Sequence, residues 1–104
     1  MQSIDELPIA CSLTDRELAR RAEDIRRDLF SGALERSEFE TGYAFRFPAD
    51  QEWETKIVEF VSTERQCCPF FRFDVKFEPN HGPIWLKLSG GEGVKQFIEA
   101  TFLD

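Results

Sequence analysis

Three thiols and one carboxylate carry the chemistry this chain offers. Cys67 and Cys68 are adjacent, Cys11 lies far upstream, and Glu64 precedes the pair by one helical turn. Thiolate sulfur is soft and selects zinc, copper(I) and other thiophilic ions over magnesium or calcium. Cys11, Cys67, Cys68 and Glu64 together would make a four-coordinate zinc site, and the three sulfurs alone suit a trigonal ion such as mercury(II) or arsenite. The chain lacks the two C-x-x-C or C-x-x-H pairs that mark zinc domains. Adjacent cysteine side chains diverge, and neighbouring Cα atoms ~3.8 Å apart strain a Cys67–Cys68 disulfide. Pairing of Cys11 with either is easier and leaves the third thiol to resolve or react, which is a redox switch. The bland reading is that the cysteines are small buried packing residues. A cysteine-dependent enzyme is a third reading. It wants a histidine base, and the only histidine, His81, falls in a turn away from the thiols.

The element that must position these groups is a helix from Gln51 to about Cys67. Pro48-Ala49-Asp50 caps it, and Pro69 ends it by pushing the preceding residue out of the α region. At ~100° per residue, Trp53, Ile57, Phe60 and Val61 form one apolar stripe. Glu64 falls inside that stripe, with Cys67 and Cys68 following at i+3 and i+4. A carboxylate there is buried, raised in pKa and in need of a partner, such as water or Arg46. The negative end of the helix raises the thiol pKa values, which Arg65 or Arg72 would oppose by favouring the thiolate.

The rest of the chain supplies the frame. Residues 1–7 are expected to fray, leaving one α+β domain over 8–104. Pro8 to Leu13 reads as a strand. Thr14-Asp15-Arg16-Glu17 is a capping box that opens a helix carrying Leu18, Ala22, Ile25 and Leu29, with its arginines on a solvated mixed-charge face and its stop at Gly32. Leu34–Phe39 and Tyr43–Phe47 form a hairpin in which Gly42 supplies a positive φ. Phe71, Phe73, Val75 and Phe77 alternate with charged residues as a half-buried strand, and Ile84–Leu88 returns after the Pro79–Gly82 turn. Gly90-Gly91-Glu92-Gly93 resembles a phosphate loop only superficially, since Glu92 opposes a phosphate and no lysine follows in place. It leads into a last helix with Val94, Phe97, Ile98 and Phe102. The order β-α-β-β-α-β-β-α predicts an antiparallel sheet with helices packed on one face: a ferredoxin-like core with an appended strand and helix. That plan brings the end of the first strand, and Cys11, to the edge where Cys67 and Cys68 lie.

Composition narrows the partners. The 104 residues carry 20 acids against 13 bases, a net charge of −7, which argues against a nucleic-acid footprint. No apolar run approaches a membrane span, the start has no signal pattern, and an odd count of three cysteines argues against a disulfide framework, so the chain reads as cytoplasmic. Trp85 lies opposite Ile84, Leu86 and Leu88 on its strand. It marks a candidate surface for a homodimer or protein partner, the basis of the alternative reading as a structural or interaction module.

The stretch Glu64-Arg65-Gln66-Cys67-Cys68-Pro69-Phe70, with Cys11-Ser12-Leu13 upstream, resembles a group of uncharacterised small bacterial proteins with an E-R-x-C-C-P-F signature. The resemblance runs from about Ile9 to Phe102, and the double cysteine before proline is its most specific part. It implies a shared fold and a shared thiol site rather than a reaction, with Cys11, Glu64, Arg65, Cys67 and Cys68 as the residues carried over.

Overall fold

Seven elements make up the described residues, 15–103, of the computed structural model: α1 (Arg16–Phe30), β1 (Glu35–Phe39), β2 (Gly42–Phe47), α2 (Gln51–Cys67), β3 (Arg72–Phe77), β4 (Ile84–Ser89) and α3 (Val94–Phe102). The strand expected over Pro8–Leu13, Thr14 and Cys11 lie outside the described residues. The N-cap of α1 is Asp15 and not the expected Thr14, with the Asp15 carboxylate accepting from the Glu17 and Leu18 amides. Asp50 caps α2 in the same way by accepting from the Trp53 amide. Glu17, Glu52 and Glu54 in the first turns suit the positive ends of these helices.

The four strands form one antiparallel sheet in the order β1-β2-β4-β3. A ferredoxin-like plan would put the first strand of the chain between β2 and β3. Here β4 takes that place, pairing Phe45 with Leu86 on one side and Val75 with Leu86 on the other. The strand expected as an appendage is therefore central. Its Ile84, Leu86 and Leu88, all buried, are the apolar run that a strand flanked on both sides and covered on one face requires.

Tyr43, Phe45 and Phe47 of β2 share that face, and all three helices contribute to the core against it through Leu29, Ile57, Phe60, Val94 and Ile98. Phe30 is the centre of the aromatic packing, with ring centroids 4.8 Å from Phe45, 5.2 Å from Phe102 and 5.3 Å from Phe60. These separations suit edge-to-face and tilted pairs.

Two local expectations are corrected. Gly42 does not have a positive φ; Gly93 is the one described glycine that does, at 88°. Gly42 is required instead by close approach, because a Cβ there would stand 1.9 Å from the Leu88 carbonyl oxygen. The β3 strand is also less covered than its alternation predicts. Phe73 is half-buried, but Val75 is 39% and Phe77 56% exposed, since β3 lies at the sheet edge.

Candidate functional site

The C-terminal end of α2 holds the site. Ile57, Phe60, Glu64 and Cys67 are the buried residues of the helix, which is the stripe that 3.6-residue periodicity dictates. The helix ends at Cys67. Cys68 leaves it with φ −129° and ψ 73°, outside the α region that the following Pro69 disfavours. Its amide still donates to the Glu64 carbonyl, and its own carbonyl accepts from the Phe71 amide. This departure overturns the divergence expected of adjacent cysteines: the Cys67 and Cys68 sulfurs stand 3.5 Å apart, both fully buried. Cys68 is a free thiol, whereas Cys67 is disulfide-bonded.

Arg26 of α1 reaches into this cluster. Its Nε donates to both Glu64 carboxylate oxygens at 3.0 Å, and its Nη2 lies 2.9 Å from Oε1. The same Nη2 donates to Cys67 Sγ at 3.3 Å and Cys68 Sγ at 3.7 Å. The guanidinium also lies 5.4 Å from the Phe102 ring centroid, a cation–π contact that fixes its plane from the α3 side. One cation thus holds a carboxylate and two sulfurs. The Arg26 side chain is 16% exposed and that of Glu64 1%. Arg26 lines an open crevice of about 520 Å³ with Glu23, Arg27, Phe30, Thr101 and Phe102. That crevice is where solvent meets the cluster.

Burial pushes the Glu64 carboxyl above its ordinary value, with the Arg26 hydrogen bonds and charge pulling the other way. Burial is also the main cause that pushes the Cys68 thiol up to about 12, followed by the nearby Glu64 charge. The Cys68 thiol donates to Cys67 Sγ at 3.5 Å, and the Glu64 carboxylate is the nearby anion that acts on its titration.

Of the residues singled out from sequence, the fold brings Glu64, Cys67 and Cys68 together. Arg65 is exposed on the outer side of α2, so the cation at the sulfurs is Arg26 instead. Arg46 is not the Glu64 partner either, as it pairs with Glu35 at 2.9 Å. His81 is exposed in the β3–β4 turn at φ 56°. Trp85 is half-buried on the sheet face away from the helices, beside Phe39, Ala44 and Lys87 in a shallow groove. The expectation that the arginines of α1 share a solvated face fails at Arg26, although the helical period carries a signal for it. At ~100° per residue it sits about 40° from Ala22, between the apolar stripe and Phe30, rather than on the far face with Arg27.

Among the described residues no group of three or more His, Cys, Asp or Glu side chains is disposed to hold a metal ion, and no helix is long and apolar enough to cross a membrane. No known family, curated protein or solved structure matches this chain.

Proposed function

We propose that the end of α2 is a buried thiol–disulfide switch. The observation that carries this reading is the convergence of Cys67 and Cys68 at 3.5 Å under a single guanidinium that also binds Glu64. A packing role for the cysteines needs neither charge. Burying an Arg–Glu pair adds little stability compared with apolar residues of the same volume, and here the pair is aimed at two sulfurs.

The chain has three cysteines, Cys68 is free and Cys67 is bonded. Cys11, outside the described residues, is our proposed partner for Cys67. Oxidation by a small-molecule disulfide joins the Cys11 and Cys67 sulfurs, and the two thiol hydrogens leave on the two small thiols released. Cys68 is the internal nucleophile. Its proton passes to Glu64, its thiolate attacks Cys67 Sγ, the Cys11–Cys67 bond breaks, and the Cys11 thiolate leaves and takes up a proton. The resulting adjacent-residue disulfide is strained, so it passes on to an external thiol instead of accumulating. Arg26, 3.7 Å from Cys68 Sγ, offsets part of the burial that opposes the Cys68 thiolate. In a reducing cytoplasm a disulfide of this kind senses or transmits redox state instead of stapling the fold.

The thiophilic-ion reading fits the same residues less well. Both Glu64 oxygens are engaged by Arg26, and a metal cation on Cys67 Sγ would face a guanidinium nitrogen 3.3 Å away. The test is differential alkylation with mass spectrometry across a series of glutathione buffers. A reversible two-electron transition between three thiols and one disulfide with Cys68 free is expected. Three thiols that stay reduced in excess glutathione disulfide would overturn the switch, and their joint protection by one equivalent of arsenite would favour the ion.

A further inference from the structure

The β3 strand closes the sheet on one side, and among the described residues its outer edge has no strand partner. It pairs with β4 over six consecutive residues, Arg72 to Phe77, without a bulge. Unpaired, regular edges of this kind are templates for another strand, and of the devices that keep an edge single (bulges, prolines, charged side chains, lysine above all) this strand carries only charges, and those of both signs. Here the edge carries two ordered rows. Arg72, Asp74, Lys76 and, just past the strand, Glu78 alternate in sign along the open sheet face. Phe73, Val75 and Phe77 form the other row, and Val75 and Phe77 are among the most exposed large apolar side chains described.

We infer that the β3 edge is a homodimer interface, in which β3 of a second copy pairs antiparallel about a twofold axis through Val75. In that register Arg72 faces Glu78 of the other copy and Asp74 faces Lys76, each twice by symmetry. Phe73 meets Phe77, and the two Val75 side chains meet at the axis. Every facing charged pair is then of opposite sign, and every apolar residue faces an apolar one. The axis placed one residue earlier sets Asp74 against Asp74 and Arg72 against Lys76. Placed one later than Val75, it sets Lys76 against Lys76 and Asp74 against Glu78. The charge pattern therefore selects one register and rejects its neighbours.

Directly opposed unlike charges and aromatic pairs stabilise an antiparallel pair, and like charges weaken it. An isologous contact of this type needs only one self-complementary strand. In the isolated chain the same four charges pair along their own strand, Arg72 with Asp74 at 3.4 Å and Lys76 with Glu78 at 3.0 Å. These exposed pairs hold little energy and exchange readily for cross-strand partners. The product joins the four described strands of each copy into one continuous sheet, with Trp85 of each copy one strand in from the axis, opposite Lys76.

Sedimentation equilibrium of the full chain under reducing conditions tests this independently of the thiol switch. The expected result is a concentration-dependent monomer–dimer equilibrium. Lys76→Asp places a carboxylate opposite Asp74 of the other copy, twice by symmetry, and is expected to raise the dimer Kd about tenfold, ~1.4 kcal/mol. The double swap Asp74→Lys with Lys76→Asp restores the opposite signs and should bring the Kd back. A chain that is monomeric at every concentration overturns the inference. So does a dimer that Lys76→Asp leaves unchanged, or one that the double swap weakens as much as the single variant does.

Discussion

Two Arg–Glu pairs close at the same 2.9 Å in very different surroundings. Arg26 and Glu64 meet beneath α1 and α2, with side chains 16% and 1% exposed. Arg46 and Glu35 face each other across the β1–β2 hairpin, 33% and 48% exposed. Distance alone does not separate them. Water screens and replaces the surface pair, so its loss costs little. The interior pair was assembled against a desolvation penalty, so removing either member strands the other. The surface pair helps hold a hairpin together, while the buried one orients two sulfurs and places a proton acceptor beside one of them.

The contrast breaks most sharply at Arg26. Arg26→Ala leaves an unpartnered buried carboxylate and is expected to cost about 3–5 kcal/mol in urea unfolding. Combining it with Glu64→Leu should recover most of that loss. A single variant as stable as the parent would mean that water already reaches Glu64.

The Cys68 thiol predicts an alkaline effect of known sign. Its folded pKa is pushed up to about 12 from an ordinary 9.0. Between those values the folded state holds a proton that the unfolded state has lost, so stability falls as pH rises. The slope is ~1.4 kcal/mol per pH unit within the window. Tyr43 titrates high as well, pushed up to about 12 chiefly by its hydrogen bond to Glu99. The parent with Cys67 in its disulfide must therefore be compared with Cys68→Ala in the same state, and the difference between their stability curves should carry the Cys68 slope. Parallel curves would show that Cys68 titrates alike in both states.

Glu64→Gln sharpens the role of the carboxylate. It removes the neighbouring negative charge that raises the thiol, so ultraviolet thiolate absorbance should appear at lower pH than in the parent. It also removes the raised carboxyl pKa, whose sign makes the parent lose stability as pH climbs above the ordinary carboxylate value. The pH dependence of unfolding in mild acid should therefore flatten. An unchanged thiolate titration would separate Glu64 from Cys68.

The smallest effect is expected at the surface. Arg46→Ala should cost less than about 1 kcal/mol and respond to salt, as exposed pairs do. A loss as large as that of Arg26→Ala would erase the distinction between the two regions.

The second helix was legible residue by residue. Asp50 caps it, Gln51–Cys67 spans it, and Glu64 lies on its buried stripe, because caps and the 3.6-residue period are properties of the local backbone. The meeting of the two sulfurs was not legible, since it depends on the turn out of the helix at Cys68 instead of on the spacing of the cysteines. The alternation of β3 correctly separated its two faces. It did not reveal that Val75 and Phe77 stay exposed, because period fixes which side a residue takes and not whether anything covers that side.

By itself the sequence determined the three helices and the Asp50 cap of the second, the strands from Glu35 onward, an α+β antiparallel architecture and the presence of Glu64 and two cysteines on one helical end. Only the tertiary structure decided that β4 is the central strand, that Arg26 and not Arg65 faces the sulfurs, and that Gly42 answers to the Leu88 carbonyl. The physical reason is range. Periodicity, capping and turn chemistry act over a few residues and are written along the chain. Which element lies across from a face is set by packing between segments tens of residues apart, where Arg26 and Glu64 meet.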